Sequence, residues 1–101
     1  MTAYAIVDLA VRDPSLFSEY LAKVSGIVAR HHGRYLSRGG KVTTIFGNWQ
    51  PSRLVIIEFP GPADLVQCFT CEEYREILPI RERSATGSMI MVEGVSRSEG
   101  P

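Results

Sequence analysis

The sequence predicts an α+β domain of ferredoxin-like type: element order βαββαβ and one four-stranded antiparallel sheet. Three observations carry that expectation. The chain opens on AYAIVDLAV at 3–11, a short apolar run rich in β-formers that reads as a strand. An amphipathic helical pattern follows at once. A strand, strand, helix, strand series then fills the remainder. This split βαβ arrangement puts the strands in the order 4-1-3-2 and the helices on one face.

Each element has its own signals. Asp13-Pro14 supplies an N-cap and a proline at the first helical position, where the missing N–H does no harm. Behind it Phe17, Tyr20, Leu21, Val24, Ile27, Val28 and His31 recur at spacings of three and four, and Gly33 suits the C′ position. RYLSR at 34–38 forms a short strand broken by Gly39-Gly40. VTTIFGNW at 42–49 resumes extended structure, as a continuation or a bulge. Gln50-Pro51-Ser52 turns the chain into RLVIIEF at 53–59, the most β-prone run present. Pro60-Gly61-Pro62 resets it, 63–70 reads as helical, and Glu72 to about Ser84 forms a second helical piece that Pro79 kinks or restarts. MIMVEGV at 89–95 is the last strand, so residues 1–96 form one domain and 97–101 a disordered tail.

The composition sets limits on function. Eleven basic and eleven acidic side chains cancel, so no long-range field draws the chain to nucleic acid or to an anionic membrane. No apolar run approaches the roughly 20 residues of a membrane span. The N-terminal run carries Asp8 and lacks a basic leader, and the chain holds only two cysteines, so a cytoplasmic location is expected.

The strands are apolar on both faces. Strand one offers Tyr4, Ile6, Asp8 and Ala10 on one side and Ala5, Val7, Leu9 and Val11 on the other. Helices of this chain suffice for one side only. A second copy, packed sheet against sheet, is the expected cover for the other, so the expected partner is the protein itself, as a homodimer.

The runs RHHGRYLSRGG, FGNWQPSRLVIIEFPG, EEYREILPIR and MIMVEGV closely resemble the family called domain of unknown function 1330, in collinear order over nearly the whole chain. The resemblance implies a dimeric α+β barrel built from ferredoxin-like protomers. The larger group around that family includes cofactor-free monooxygenases, haem-degrading enzymes and isomerases. Tyr74, Arg81 and His31 match the family's tyrosine, arginine and histidine. His32 stands where glycine is usual, Cys68 where an aromatic residue is usual, and Cys71 where serine is usual.

Candidate sites are weighed against structural roles. Cys68 and Cys71 have the CxxC spacing, but Cys68 falls near the C-terminal end of a short helix, where the dipole disfavours a thiolate. They make only half a zinc site, so the pair is read as packing plus a weak cap, and no metal is expected. Tyr74 and Arg81 lie seven residues apart, two helical turns, so an unbroken helix stacks them on one face. An arginine on an apolar face needs a carboxylate, here Asp8, Glu58 or Glu93, or an anionic ligand. His31 is the best-suited base by its ordinary pKa, set against a helix-capping role. Asp8 and Glu58 sit at opposite ends of antiparallel strands and cannot share a proton. Asp8 alone needs a cation, which Arg38, Arg53 or Arg81 could supply. Trp49 caps either the pocket mouth or the hairpin end.

Tyr20, His31, Tyr74 and Arg81 are therefore the candidate pocket, with Asp8, Arg38 and Trp49 as weaker candidates. No nucleotide or metal motif is present, so no cofactor is expected; a haem variant is limited by the two histidines. Two function classes stand: a cofactor-free enzyme resembling monooxygenases or isomerases, acting on a small organic acid or phenol, and a non-catalytic dimeric binding or regulatory module.

Overall fold

A computed structural model describes residues 1–95; the tail expected at 97–101 lies outside them. The elements run β1 (Ala3–Val11), α1 (Pro14–Arg30), β2 (Arg34–Arg38), β3 (Leu54–Phe59), α2 (Pro62–Thr70), α3 (Glu72–Ser84) and β4 (Ala85–Glu93). The sheet has the expected order, β2-β3-β1-β4, with every pairing antiparallel. No helix among the described residues is long and apolar enough to cross a membrane.

One face of the sheet is covered by the helices. Ala3, Ala5 and Leu9 of β1 and Val55, Ile57 and Phe59 of β3 meet Phe17, Val24, Ile27 and Val28 of α1 there. Small residues on β1 let the helices settle close, and Phe59 fills the space beside them with no exposed surface. The other face carries Tyr4, Ile6, Leu54 and Ile56, joined through the register by Ile90 and Val92 of β4, the last two exposed at 60% and 47%.

Helix α1 starts as expected: Asp13 Oδ1 accepts from the Leu16 N–H at 3.1 Å, and Pro14 sits at N1. Its end differs. The left-handed C′ residue is His32, with φ 66°, rather than Gly33. The Gly33 N–H donates to Val28 O and the His32 N–H to Ala29 O, closing a Schellman motif. Gly33 is needed for room instead: a Cβ there would stand 2.6 Å from Val28 Cγ1 and 2.8 Å from Phe59 Cε1.

Three further boundaries move. Residues 42–49 form no strand; the stretch between β2 and β3 is exposed and turns through Gly39 and Gly47, both at positive φ. Nothing in it is buried against the sheet, so the apolar run has no face to pair on. The last strand starts at Ala85 rather than Met89, because β1 is long enough to pair with all nine residues up to Glu93. A Cβ at Gly87 would collide with the Asp8 carbonyl oxygen, so glycine is what lets the two backbones close there. Finally, Pro79 lies within one continuous helix, α3, on its exposed side.

Candidate functional site

Between the helix-covered face of the sheet and α1 and α3 lies a cavity of about 310 Å³. Its walls are mainly apolar, from Val7, Leu9, Val24, Val55, Ile57 and Leu78. The polar lining is unusual in its chemistry. Tyrosines 20, 35 and 74 and arginines 38, 53 and 81 face the cavity, and among the described residues no aspartate, glutamate or histidine does.

Helical spacing brings the first group together. Tyr20 lies on the buried stripe of α1 and Tyr74 on that of α3, with 7% and 5% of their surface exposed. Their rings meet edge to face at 6.2 Å and their hydroxyls are 3.0 Å apart. Phe17 stacks on Tyr20 at 5.6 Å, and Phe69 meets Tyr74 at 5.1 Å, so both phenols are fixed from two sides. Burial pushes the Tyr20 pKa well up; the nearby Tyr74 adds to this and the Arg81 guanidinium only partly opposes it. The phenol therefore stays neutral throughout the physiological range.

Arg81, two turns beyond Tyr74 on the unbroken α3, lines the same cavity. None of Asp8, Glu58 or Glu93 pairs with it. The ion pairs among the described residues are Arg30–Glu73 and Arg34–Glu58, both away from the cavity. The Nε of Arg81 is buried without a hydrogen-bond partner, and so is the Nε of Arg53. Arg53 packs its guanidinium 5.5 Å from the Phe17 ring centroid and against Gly39, where a Cβ would come 2.5 Å from Nη1. Arg38 is exposed; its guanidinium lies over Tyr35 at 4.3 Å, and Nη1 donates to Ser25 Oγ at 3.3 Å. Burial also raises the Tyr35 pKa, against Ser25 and Arg38.

Other candidate residues lie elsewhere. His31 does not line the cavity: it is the C-cap of α1, and its Nδ1 donates to Ile27 O at 2.9 Å, a carbonyl that also accepts from the His31 backbone N–H. Asp8 points to the open face of the sheet, away from all three arginines, and accepts from Trp49 Nε1 at 3.0 Å. Trp49 is thus tied to Asp8 on that face and borders no part of the cavity. Asp8 and Glu58 are four ladder positions apart, roughly 13 Å, and share nothing. Cys68 is fully buried and its pKa is pushed up to about 12, chiefly by burial and then by Cys71. Cys71 is the N-cap of α3 but makes no side-chain cap bond; its Sγ–H donates to Cys68 O at 3.2 Å. Both thiols are free, and no cluster of metal-ligating residues occurs among the described residues.

Arg53 and Tyr35 were outside the candidate pocket, yet period two reaches them. Arg53 is two residues before Val55, and Tyr35 pairs with Ile57, so both share the helix-covered face.

A family model described as "Domain of unknown function (DUF1330)" matches residues 2–95. The chain belongs to the DUF1330 family. Solved structures similar to this DUF1330 chain share its fold at low identity. A protein of unknown function from Rhodopseudomonas palustris is 16% identical with TM-score 0.76, over 94% of this chain and 83% of that one. SnoaB, a cofactor-independent oxygenase from Streptomyces nogalater, is 11% identical with TM-score 0.65, over 94% of each chain. A dimeric protein of unknown function and ferredoxin-like fold from Bacteroides fragilis is 14% identical with TM-score 0.61, over 92% and 96%. No curated protein matches the DUF1330 chain by sequence.

Proposed function

We propose that the protein is a homodimer that binds a small organic acid or phenol in this cavity and acts on it without a cofactor. One observation carries the reading: among the described residues, the Nε atoms of Arg53 and Arg81 are buried and unpartnered beside a cavity that no carboxylate lines. An Nε–H so placed has lost water without gaining a protein partner, and an anionic ligand would repair that. The Tyr20–Tyr74 pair adds hydroxyl donors in a desolvated setting, where charge on an oxyanion or phenolate is held strongly. The cofactor-independent oxygenase SnoaB, with the same fold, supports oxygen chemistry on such an anion. The dimeric neighbour and the apolar open face of the sheet support a homodimer.

A second reading, a binding module without turnover, is favoured by a cavity lining that holds no aspartate, glutamate or histidine among the described residues. With no general base in place, turnover requires a substrate acidic enough to arrive as the anion.

The two are separated by titrating small aromatic acids and phenols while following heat and oxygen uptake. Binding with oxygen uptake supports the enzyme; binding alone supports the module. Arg81→Lys keeps the charge but loses the forked geometry, so affinity should fall about tenfold or more, from roughly 1.5 to 3 kcal/mol for one charge-assisted bond. Arg81→Met should leave the ligand-free unfolding midpoint unchanged or raised. A large fall in that midpoint, with no acid or phenol shifting the wild type, ends the ligand reading.

A further inference from the structure

The cavity holds more positive charge than one carboxylate can neutralise. Of its three arginines, Arg38 is exposed and already occupied by Ser25 and the Tyr35 ring. Arg53 and Arg81 are different: each is half-buried, each has a buried Nε without a partner, and neither belongs to an ion pair among the described residues. They enter from separate elements, Arg53 from the residue before β3 and Arg81 from the last turn of α3. Arg53 is also held in place, by Phe17 beneath its guanidinium and by Gly39, whose missing side chain makes the room.

We propose that the ligand carries two negative charges on an apolar body, as an aromatic dicarboxylate or an aryl phosphate does. This rests on the cavity being the ligand site. A monoanion would neutralise one of the two guanidiniums and leave the other charged, its buried Nε without a partner and facing the same cavity. Like charges sharing a partly buried space repel, and among the described residues no acidic side chain lines the wall to relieve them. A second anionic charge relieves both. The apolar body follows from the remaining wall, where Val7, Leu9, Val24, Val55, Ile57 and Leu78 offer contact area and no polar partner. The Tyr20 and Tyr74 hydroxyls, with one hydrogen used between them, leave another to donate to the same ligand.

The test compares benzoate, isophthalate and phenyl phosphate by calorimetric titration of the full chain at one ionic strength and mildly alkaline pH, where all are ionised. At least one of the two dianions should bind about tenfold or more tightly than benzoate, as a second charge-assisted contact requires. Isophthalate as the tighter places the two charges on separate groups; phenyl phosphate as the tighter places them on one. Either supports the proposal. Arg53→Met and Arg81→Met should each bring that advantage to within a few-fold of parity, while their ligand-free unfolding midpoints show that both variants fold. Benzoate binding as tightly as both dianions, or an advantage untouched in Arg53→Met, overturns the proposal and leaves a simple anion site standing. Failure of all three to bind overturns the anion reading with it.

Discussion

The Tyr20 and Tyr74 hydroxyls are buried and satisfy each other across 3.0 Å. Removing one strands the other, so Tyr20→Phe should cost about 1–3 kcal/mol. The Tyr20→Phe, Tyr74→Phe double variant should cost clearly less than the two single changes summed, which chemical denaturation of all four proteins would measure. Additive losses would mean the hydroxyls do not depend on each other. Cys68 gives a pH signature. Its thiol is raised from 9.0 to about 12 in the folded chain, so the unfolded chain ionises first. Stability is then full below pH 9.0 and is lost as pH rises, at roughly 1.4 kcal/mol per pH unit, until about 12. Cys68→Ala should flatten the fall between the ordinary thiol range and about pH 10, where Tyr20 begins to add its own loss. A slope equal to wild type in that window contradicts the assignment. At this scale the sequence was informative where helical spacing decides the direction of a side chain, as for Tyr20, Tyr74 and Arg81. Arg53 was read only as a possible cation for Asp8; the alternation that puts Val55 on the helix-covered face carries Arg53 to the cavity instead, although it stands just outside the strand. His31 was drawn toward the site by its chemistry; the helix-capping role, with its ring bonded to the Ile27 carbonyl, took it instead.

Among elements, α3 shows how a poor local choice is tolerated. Its N-cap, Cys71, has the extended backbone that a cap requires, φ −70° and ψ 163°, but makes no cap bond. Cys71→Ser should therefore stabilise the protein, by about 0.5–1 kcal/mol, once a hydroxyl can accept from the first turn. Thermal unfolding checks it, and a lower midpoint would show that the Sγ–H bond to Cys68 O matters more. The signals for β1, α1 and α3 were local, in caps, prolines and periodicity, and their boundaries were readable to within a residue or so. The signals for 42–49 and for the start of β4 were not local. VTTIFGNW is β-prone but finds no neighbour, whereas Ala85-Thr86-Gly87-Ser88, of which only Thr86 favours a strand, are paired because β1 extends to meet them.

At the scale of the molecule, the sheet face bearing Tyr4, Ile6, Ile56, Ile90 and Val92 has no helix over it, and Ile45 and Phe46 stand 86% and 91% exposed in the loop between β2 and β3. Such a surface should bring two copies together at micromolar concentration. Light scattering should give twice the 11.2 kDa of one chain, and a stable value at 11.2 kDa would refute it. The order of the sheet has a consequence in time. The longest ladder joins β1 to β4, pairing Ala3 with Glu93 at one end and Val11 with Ala85 at the other. Contacts this distant in sequence close slowly, because most of the chain must be ordered first. During synthesis β1 emerges early and stays half-partnered until nearly everything described has been made. A nine-residue apolar strand waiting that long keeps one edge open, and an open edge invites pairing with a neighbouring nascent chain of the same kind.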